Sequence, residues 1–184
     1  MKRFISLFFA LLLALSCLGC AHAEGVTFKT NYYTLTLPEG WTVSMEDANS
    51  EMAENLVFLG GFYAPKAKDL VVEAWLAYYE DLKDKALWNG DEAFLQEYID
   101  IVLDDYAEDN AVYLDTVMAD KIPFVLIKCE DAEGEYLYAD TMSNGYAIVF
   151  YAYVTDYDAE KTFPLKDADI EQFKAILSTF KPVK

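Results

Sequence analysis

Carboxylates are the most abundant side chains in this sequence that could do chemistry. Its 184 residues include 32 aspartates and glutamates but only one histidine, His22. Two carboxylates suffice to hydrolyse a glycoside. The candidate pairs are Asp104 with Asp105, Glu108 with Asp109, and Asp156 with Asp158. Because 32 acidic residues produce close pairs by chance, these pairs do not indicate a glycosidase.

The same acidic residues raise the question of calcium binding, since calcium takes several oxygen ligands from one loop. The densest acidic segments are 104–110, 130–135 and 156–160. None has the spacing of an EF-hand, because the register set by Gly134 would put Cys129 at the first ligand position. We therefore predict no metal ligands, and we keep a small-ligand or calcium-binding accessory protein as the alternative function.

Tyrosines alternate along two segments that are close in sequence. Tyr136 and Tyr138 share one side of the first segment, and Tyr151 and Tyr153 share one side of the second. Adjacent tyrosines can form a platform that binds a protein or a sugar. The alternative is that they pack beneath a helix. These four tyrosines are the candidate partner-binding face, and we predict no catalytic residues and no cofactor.

The spacing of apolar residues predicts strands over much of the chain. Tyr33, Leu35 and Leu37 alternate with threonines, which is typical of a half-buried strand, and a turn follows at 38–40. The other predicted strands are 56–63 with a bulge at Gly60-Gly61, 70–79, 112–118, 122–129, 135–141 and 146–155. Segments 70–79 and 146–155 are apolar on both faces, which favours inner strands; a helix is the alternative for 70–79. Asn144-Gly145 predicts a tight hairpin turn, because these residues tolerate positive φ.

Two segments have a helical period instead. The first follows Asp91, a plausible N-cap, and the second ends before Pro182. Their apolar stripes are Phe94, Leu95, Tyr98, Ile99, Val102 and Tyr106, and Ile170, Phe173, Ile176, Leu177 and Phe180. The predicted fold class is therefore α+β: an antiparallel β-sheet with two amphipathic helices packed on it, in one domain over residues 24–184.

This pattern resembles the PsbP-like fold. The resemblance is carried by the run Tyr33-Thr34-Leu35-Thr36-Leu37-Pro38-Glu39-Gly40-Trp41, by the tyrosine-rich meander that follows, and by the final helix at 173–180. It covers most of residues 26–181. The superfamily includes small bacterial exported and lipid-anchored proteins. The resemblance implies a non-enzymatic binding or accessory domain, and it carries no catalytic residues over to this chain.

The N-terminus predicts export. Lys2 and Arg3 precede an apolar run, and Ala21 and Ala23 are the small residues that signal peptidase requires. We predict a cleavable signal peptide over residues 1–23 and a secreted or extracytoplasmic bacterial protein. The alternative is lipidation of Cys20 or Cys17, which would anchor the protein to a membrane, although neither cysteine lies in a well-formed lipobox.

Removal of residues 1–23 leaves 12 lysines, 32 acidic residues, no arginine and no histidine, a formal charge of −20. This charge excludes nucleic acid as a partner and disfavours anionic lipids. Without histidine there is no Ser-His-Asp triad, Cys-His pair or histidine zinc site. Cys129 is then the only cysteine, so it forms no intramolecular disulfide, and we interpret it as a packing residue. The predicted function is an exported, non-catalytic binding domain whose partner is an extracytoplasmic protein.

Overall fold

The structure is a computed structural model that describes residues 25–183 except 47, 49, 50, 54, 67, 68 and 157–160. The predicted signal peptide, the alternative lipid anchors Cys17 and Cys20, and most of the acidic segment 156–160 lie outside the described residues. Within the described ranges, no helix is long and apolar enough to span a membrane.

A large antiparallel sheet forms the centre of the molecule. Its main path runs β3 (Thr42–Ser44), β5 (Leu56–Tyr63), β6 (Leu70–Tyr78), β10 (Tyr146–Asp156), β9 (Glu135–Ser143), β8 (Ile122–Glu130) and β7 (Val112–Ala119). Two further strands, β4 (Glu51–Ala53) and β11 (Lys161–Phe163), pair with β5 and β10. The two segments that are apolar on both faces, β6 and β10, lie side by side in the middle of this sheet. Their prediction as inner strands is confirmed, and the helical alternative for 70–79 is wrong.

A second, smaller sheet covers one face of the large one. It consists of β1 (Val26–Lys29), β2 (Tyr33–Leu37) and β12 (Lys181–Pro182), with β2 in the middle. The alternation that predicted β2 turns Tyr33, Leu35 and Leu37 into the core, where each is at most 1% exposed. The local pattern of the sequence predicts a single sheet. It does not reveal the small one, because the pairing of β12 with β2 joins distant parts of the chain.

The two helices lie on opposite faces of the large sheet. Helix α1 (Glu92–Asp105) begins at the predicted N-cap Asp91, whose carboxylate accepts hydrogen bonds from the backbone N–H groups of Ala93 and Phe94, both at 3.1 Å. Helix α2 (Asp167–Leu177) packs on the other face beside the small sheet. The α1 core includes Phe94, Tyr98, Ile99, Val102, Val125, Ile127 and Val149, and the α2 core includes Phe124, Leu126, Phe150, Phe173, Ile176 and Leu177. The predicted α+β class, an antiparallel sheet with two packed helices, is confirmed.

The predicted turns also occur where glycine and asparagine allow them. Asn144 and Gly145 have φ of 53° and 78° and join β9 to β10. The register of β5 against β6 shifts between Phe58 and Gly60, which confirms the bulge, and Gly60 has φ of 141°. Trp41, which follows the turn at 38–40, is a buried core residue.

We predict that Phe180→Ala destabilises the protein by about 3–5 kcal/mol, as is typical of a deleted buried aromatic ring. Phe180 is 2% exposed, and its ring centroid lies 5.3 Å from that of Tyr33 and 5.0 Å from that of Phe124. Urea denaturation followed by tryptophan fluorescence measures the change. Val183→Ala, at a 38% exposed residue of the same terminal segment, is the control and should cost less than about 0.5 kcal/mol. Equal effects of the two substitutions would contradict a core role for this segment.

Candidate functional site

The four predicted tyrosines lie on the same face of the large sheet as helix α1. Tyr138 and Tyr151 are direct cross-strand partners in the β9–β10 pairing. Tyr138 is 2% exposed and packs in the core under α1, whereas Tyr136, Tyr151 and Tyr153 are half-buried. Helix α1 therefore covers one tyrosine and leaves three at the edge of its contact area. The alternative of packing beneath a helix therefore holds for Tyr138, and partner binding by the other three tyrosines stays a prediction.

The three half-buried tyrosines line an open cleft of about 730 Å³. Strands β5, β6, β9 and β10 supply its floor, and its rim comes from the segment after α1, the β8–β9 loop and β11. We call it the tyrosine cleft. Its lining residues are Leu56, Glu73, Trp75, Tyr106, Asp109, Asp131, Glu133, Gly134, Glu135, Tyr136, Tyr151, Tyr153, Thr155 and Thr162.

Hydrogen bonds fix the tyrosine rings of the cleft. The Tyr136 hydroxyl donates to Asp109 Oδ2 at 2.6 Å, and the Tyr153 hydroxyl donates to Glu73 Oε1 at 2.8 Å. The hydroxyls of Tyr106 and Tyr151 bond to each other at 2.7 Å. Burial raises the pKa of Tyr136, and its bond to the Asp109 carboxylate raises that pKa further. Tyr136 is therefore a neutral phenol at physiological pH, and its ring is held in place before any ligand arrives.

The charge of the cleft is negative. Its lining includes five carboxylates and, among the residues that the structure describes, no lysine. Lys128 Nζ lies 2.7 Å from Glu135 Oε1, which lowers the pKa of Glu135, and the backbone N–H of Leu165 donates to Glu135 Oε2 at 2.9 Å. Asp131 closes the β8–β9 loop by accepting hydrogen bonds from the N–H groups of Glu133 and Gly134. Glu135 is thus largely compensated by Lys128, and within the described ranges none of the other four lining carboxylates is paired with a lysine.

Two of the residues that shape this cleft were not among the predicted partner-binding residues. Glu73 lies opposite Tyr151 in the β6–β10 pairing, and the Trp75 ring packs 4.9 Å from that of Phe58. The indole N–H of Trp75 is buried and has no acceptor among the described residues. One signal was present, since Glu73 is the only charged residue in the apolar segment 70–79. A lone acid on an inner strand indicates either a partner group or a solvent-filled opening on that face.

The other chemical candidates do not form a second site. Among the described residues, no three acidic, cysteine or histidine side chains are grouped closely enough to hold a metal ion. Of the candidate carboxylate pairs, Asp104, Asp105 and Glu108 are exposed to solvent, and Asp158 lies outside the described residues. Cys129 is 1% exposed in the α1 core, and burial raises the pKa of its thiol to about 11. Its position fits the packing role inferred from the sequence.

A buried carboxyl group lies behind the cleft. Asp140 on β9 is fully buried, and its Oδ2 accepts hydrogen bonds from the hydroxyls of Tyr98 and Tyr138. Its Oδ1 has no hydrogen-bond partner in the described part of the chain. Burial raises the pKa of Asp140 to about 7; the two tyrosine hydroxyls oppose this rise, and the charge of Asp105 adds to it. Neutral and ionised forms of Asp140 are therefore both accessible near physiological pH.

We predict that Asp140→Asn removes a pH-dependent part of the protein's stability. Because the pKa of Asp140 is higher in the folded than in the unfolded chain, its contribution to stability is complete below about pH 4 and is lost as the pH rises through about 7. Asparagine keeps an acceptor for the tyrosines and cannot ionise. The unfolding free energy of the variant relative to wild type should rise by about 4 kcal/mol between pH 4 and pH 8.

Urea denaturation at a series of pH values measures this difference. Asp84→Asn, at an exposed aspartate, is the control and should give a nearly constant difference. A pH-independent difference for Asp140→Asn would show that Asp140 is ionised in the folded protein throughout this range.

Neither protein-family models nor curated protein sequences match this chain. Among solved structures, it is similar to the solution structure of cyanobacterial PsbP (CyanoP) from Synechocystis sp. PCC 6803, a protein of the family that the sequence resembles. The identity is 17% and the TM-score 0.48, and the match covers 90% of this chain and 96% of that one.

A crystal structure from Bacteroides thetaiotaomicron VPI-5482 is also similar, at 13% identity and a TM-score of 0.47. That match covers 88% of this chain and 49% of the other, so this chain spans about half the length of that protein.

Proposed function

We propose that this chain is an exported, non-catalytic binding domain that uses the tyrosine cleft to bind a segment of another extracytoplasmic protein. The observation that carries this proposal is the cleft itself. It is an open concave surface with an aromatic lining, on a sheet face that helix α1 covers only in part. Concave sites with aromatic walls and a few oriented polar groups are the usual form of a ligand-binding surface.

The fixed tyrosine rings support a binding role. Tyrosine and tryptophan are enriched at protein interfaces because they offer a large contact area with few rotatable bonds. In this cleft Tyr136, Tyr151 and Tyr153 already have their hydroxyls bonded. A partner would therefore lose less free energy to the ordering of side chains than it would on a mobile surface.

The composition of the cleft favours binding over catalysis. Within the described part of the chain, its lining holds no histidine, cysteine or lysine, three residue types that often act as general base or nucleophile. Asp109 and Glu73 accept hydrogen bonds from tyrosine hydroxyls, so both carboxylates are already engaged within the cleft. A small-ligand-binding accessory protein is the second candidate, because a cleft of about 730 Å³ also has the volume of a small-molecule site.

We predict that substitution of Tyr153 weakens capture of the partner. The full chain, expressed in a bacterial host, is immobilised and exposed to the extracytoplasmic fraction of the source cell, and bound proteins are quantified by mass spectrometry. Tyr153→Ala should weaken capture about tenfold or more, as at an aromatic hot spot. Tyr146→Ala is the matched control: Tyr146 lies on the same strand, is 53% exposed and does not line the cleft.

A partner captured equally by both variants would contradict binding through the cleft. If wild type captures nothing, the small-ligand candidate takes precedence, and a thermal-shift panel of glycans and cations, including calcium, tests it.

For export, we predict that the protein recovered from outside the cytoplasm begins at Glu24. Intact-mass spectrometry of the processed chain measures this directly. A diacylglyceryl modification on an N-terminal Cys20 or Cys17 would instead establish the lipid-anchored alternative. Full-length protein that still begins at Met1 would contradict both forms of processing.

A further inference from the structure

We infer that the tyrosine cleft receives the cationic side chain of a lysine or arginine presented by the partner protein. This inference rests on the proposed function and adds the chemistry of the group that enters the cleft.

The lining carboxylates have an uncompensated charge. In the described part of the chain, Lys128 is the cation bonded to a lining carboxylate, and it bonds Glu135. Glu73, Asp109, Asp131 and Glu133 have no cationic partner within the described ranges. Four negative charges around one concave surface attract a positive group and repel an anionic one.

The tyrosines and carboxylates are paired in a way that suits a cation. Glu73 accepts the hydroxyl proton of Tyr153, and Asp109 accepts that of Tyr136. A phenol that donates to a carboxylate has a more electron-rich ring, and the face of such a ring attracts ammonium and guanidinium groups. Each pair therefore places an anion at the hydroxyl edge of an aromatic ring, and we expect the anion and the ring to hold the same cation.

The polar groups that remain free in these pairs are acceptors. The hydroxyls of Tyr136 and Tyr153 have already donated, whereas each carboxylate keeps lone pairs that can accept further hydrogen bonds. An ammonium offers three N–H donors and a guanidinium five, with no acceptor of their own. An apolar side chain could contact the rings but has no donor for the carboxylates, and a neutral sugar could donate to them but would leave their charge uncompensated.

The partner is a different protein rather than a second copy of this chain. Residues 24–184 have a formal charge of −20 and contain no arginine, so a second copy would bring the same negative charge to the cleft. A partner with an exposed basic segment is attracted at long range by this charge and held at short range by the cleft.

The test uses short capped peptides as probes. The full chain is expressed and purified with ¹⁵N labelling, and acetyl-Gly-Arg-Gly-amide and acetyl-Gly-Lys-Gly-amide are titrated in 150 mM NaCl. The neutral probes are the same peptides with citrulline in place of arginine and norleucine in place of lysine. We expect the cationic peptides to shift the indole N–H signal of Trp75 and to bind at least about tenfold more tightly than their neutral counterparts.

Two pairs of variants separate the cleft from the charge of the whole molecule. Glu73→Gln keeps an acceptor for the Tyr153 hydroxyl and removes one negative charge. It should weaken binding of the arginine peptide about tenfold. Glu97→Gln makes the same charge change on the exposed side of α1 and should have little effect. Tyr153→Leu should weaken binding, whereas Tyr153→Phe, which keeps the ring, should retain most of it.

Three results would overturn the inference. Equal binding of the arginine and citrulline peptides would mean that the cleft selects by shape. Equal weakening by Glu73→Gln and Glu97→Gln would mean that the peptides respond to net charge alone. The absence of any shift at Trp75 would mean that no cationic side chain enters the cleft. In each case the proposed function is tested separately by the capture experiment. It stands if Tyr153→Ala loses the captured partner and Tyr146→Ala keeps it. Failure of the cation inference can therefore be distinguished from failure of the proposed function.

Discussion

The structure depends on a sheet whose central strands are apolar on both faces. β6 and β10 cannot lie at a solvent-exposed surface on either side, because each face would leave a row of aliphatic and aromatic side chains in water. Helix α1 covers one face, and the small sheet with α2 covers the other. The two covers differ in extent. The small sheet and α2 together supply a broad layer, whereas α1 has only 14 residues.

The tyrosine cleft lies on the face of the large sheet that α1 covers, in the part of that face that the helix does not reach. On the strand positions beyond the helix, the residue types change from aliphatic to tyrosine, tryptophan and glutamate, which tolerate partial exposure to water. Tyr138 lies at the boundary between the core under α1 and the tyrosine cleft. Its ring lies 4.5 Å from that of Tyr106 and 5.3 Å from that of Tyr151, and its hydroxyl bonds the buried Asp140. The core under α1 and the wall of the cleft are thus one continuous layer of packed rings.

Sequence reasoning predicted the features that depend on local spacing. The alternation of Tyr151 and Tyr153, the N-cap at Asp91 and the turn at Asn144-Gly145 are each determined within a few residues, and the structure contains all three. The meeting of Glu73 with Tyr153 joins residues 80 positions apart and depends on the register of β6 against β10. Which tyrosine is buried under α1 depends on where the helix ends over the sheet. Neither the Glu73–Tyr153 hydrogen bond nor the end of the helix over the sheet can be read from a local sequence pattern.

The small sheet determines where the two ends of the described chain emerge. β1, which begins the described chain, and β12, which ends it, both pair with β2. This sheet packs against the face of the large sheet opposite the tyrosine cleft. Both ends of the described chain therefore lie on the side of the large sheet opposite the cleft. An attachment at either end, whether a membrane anchor, a neighbouring domain or a laboratory surface, holds the molecule from its back and leaves the aromatic opening facing outward.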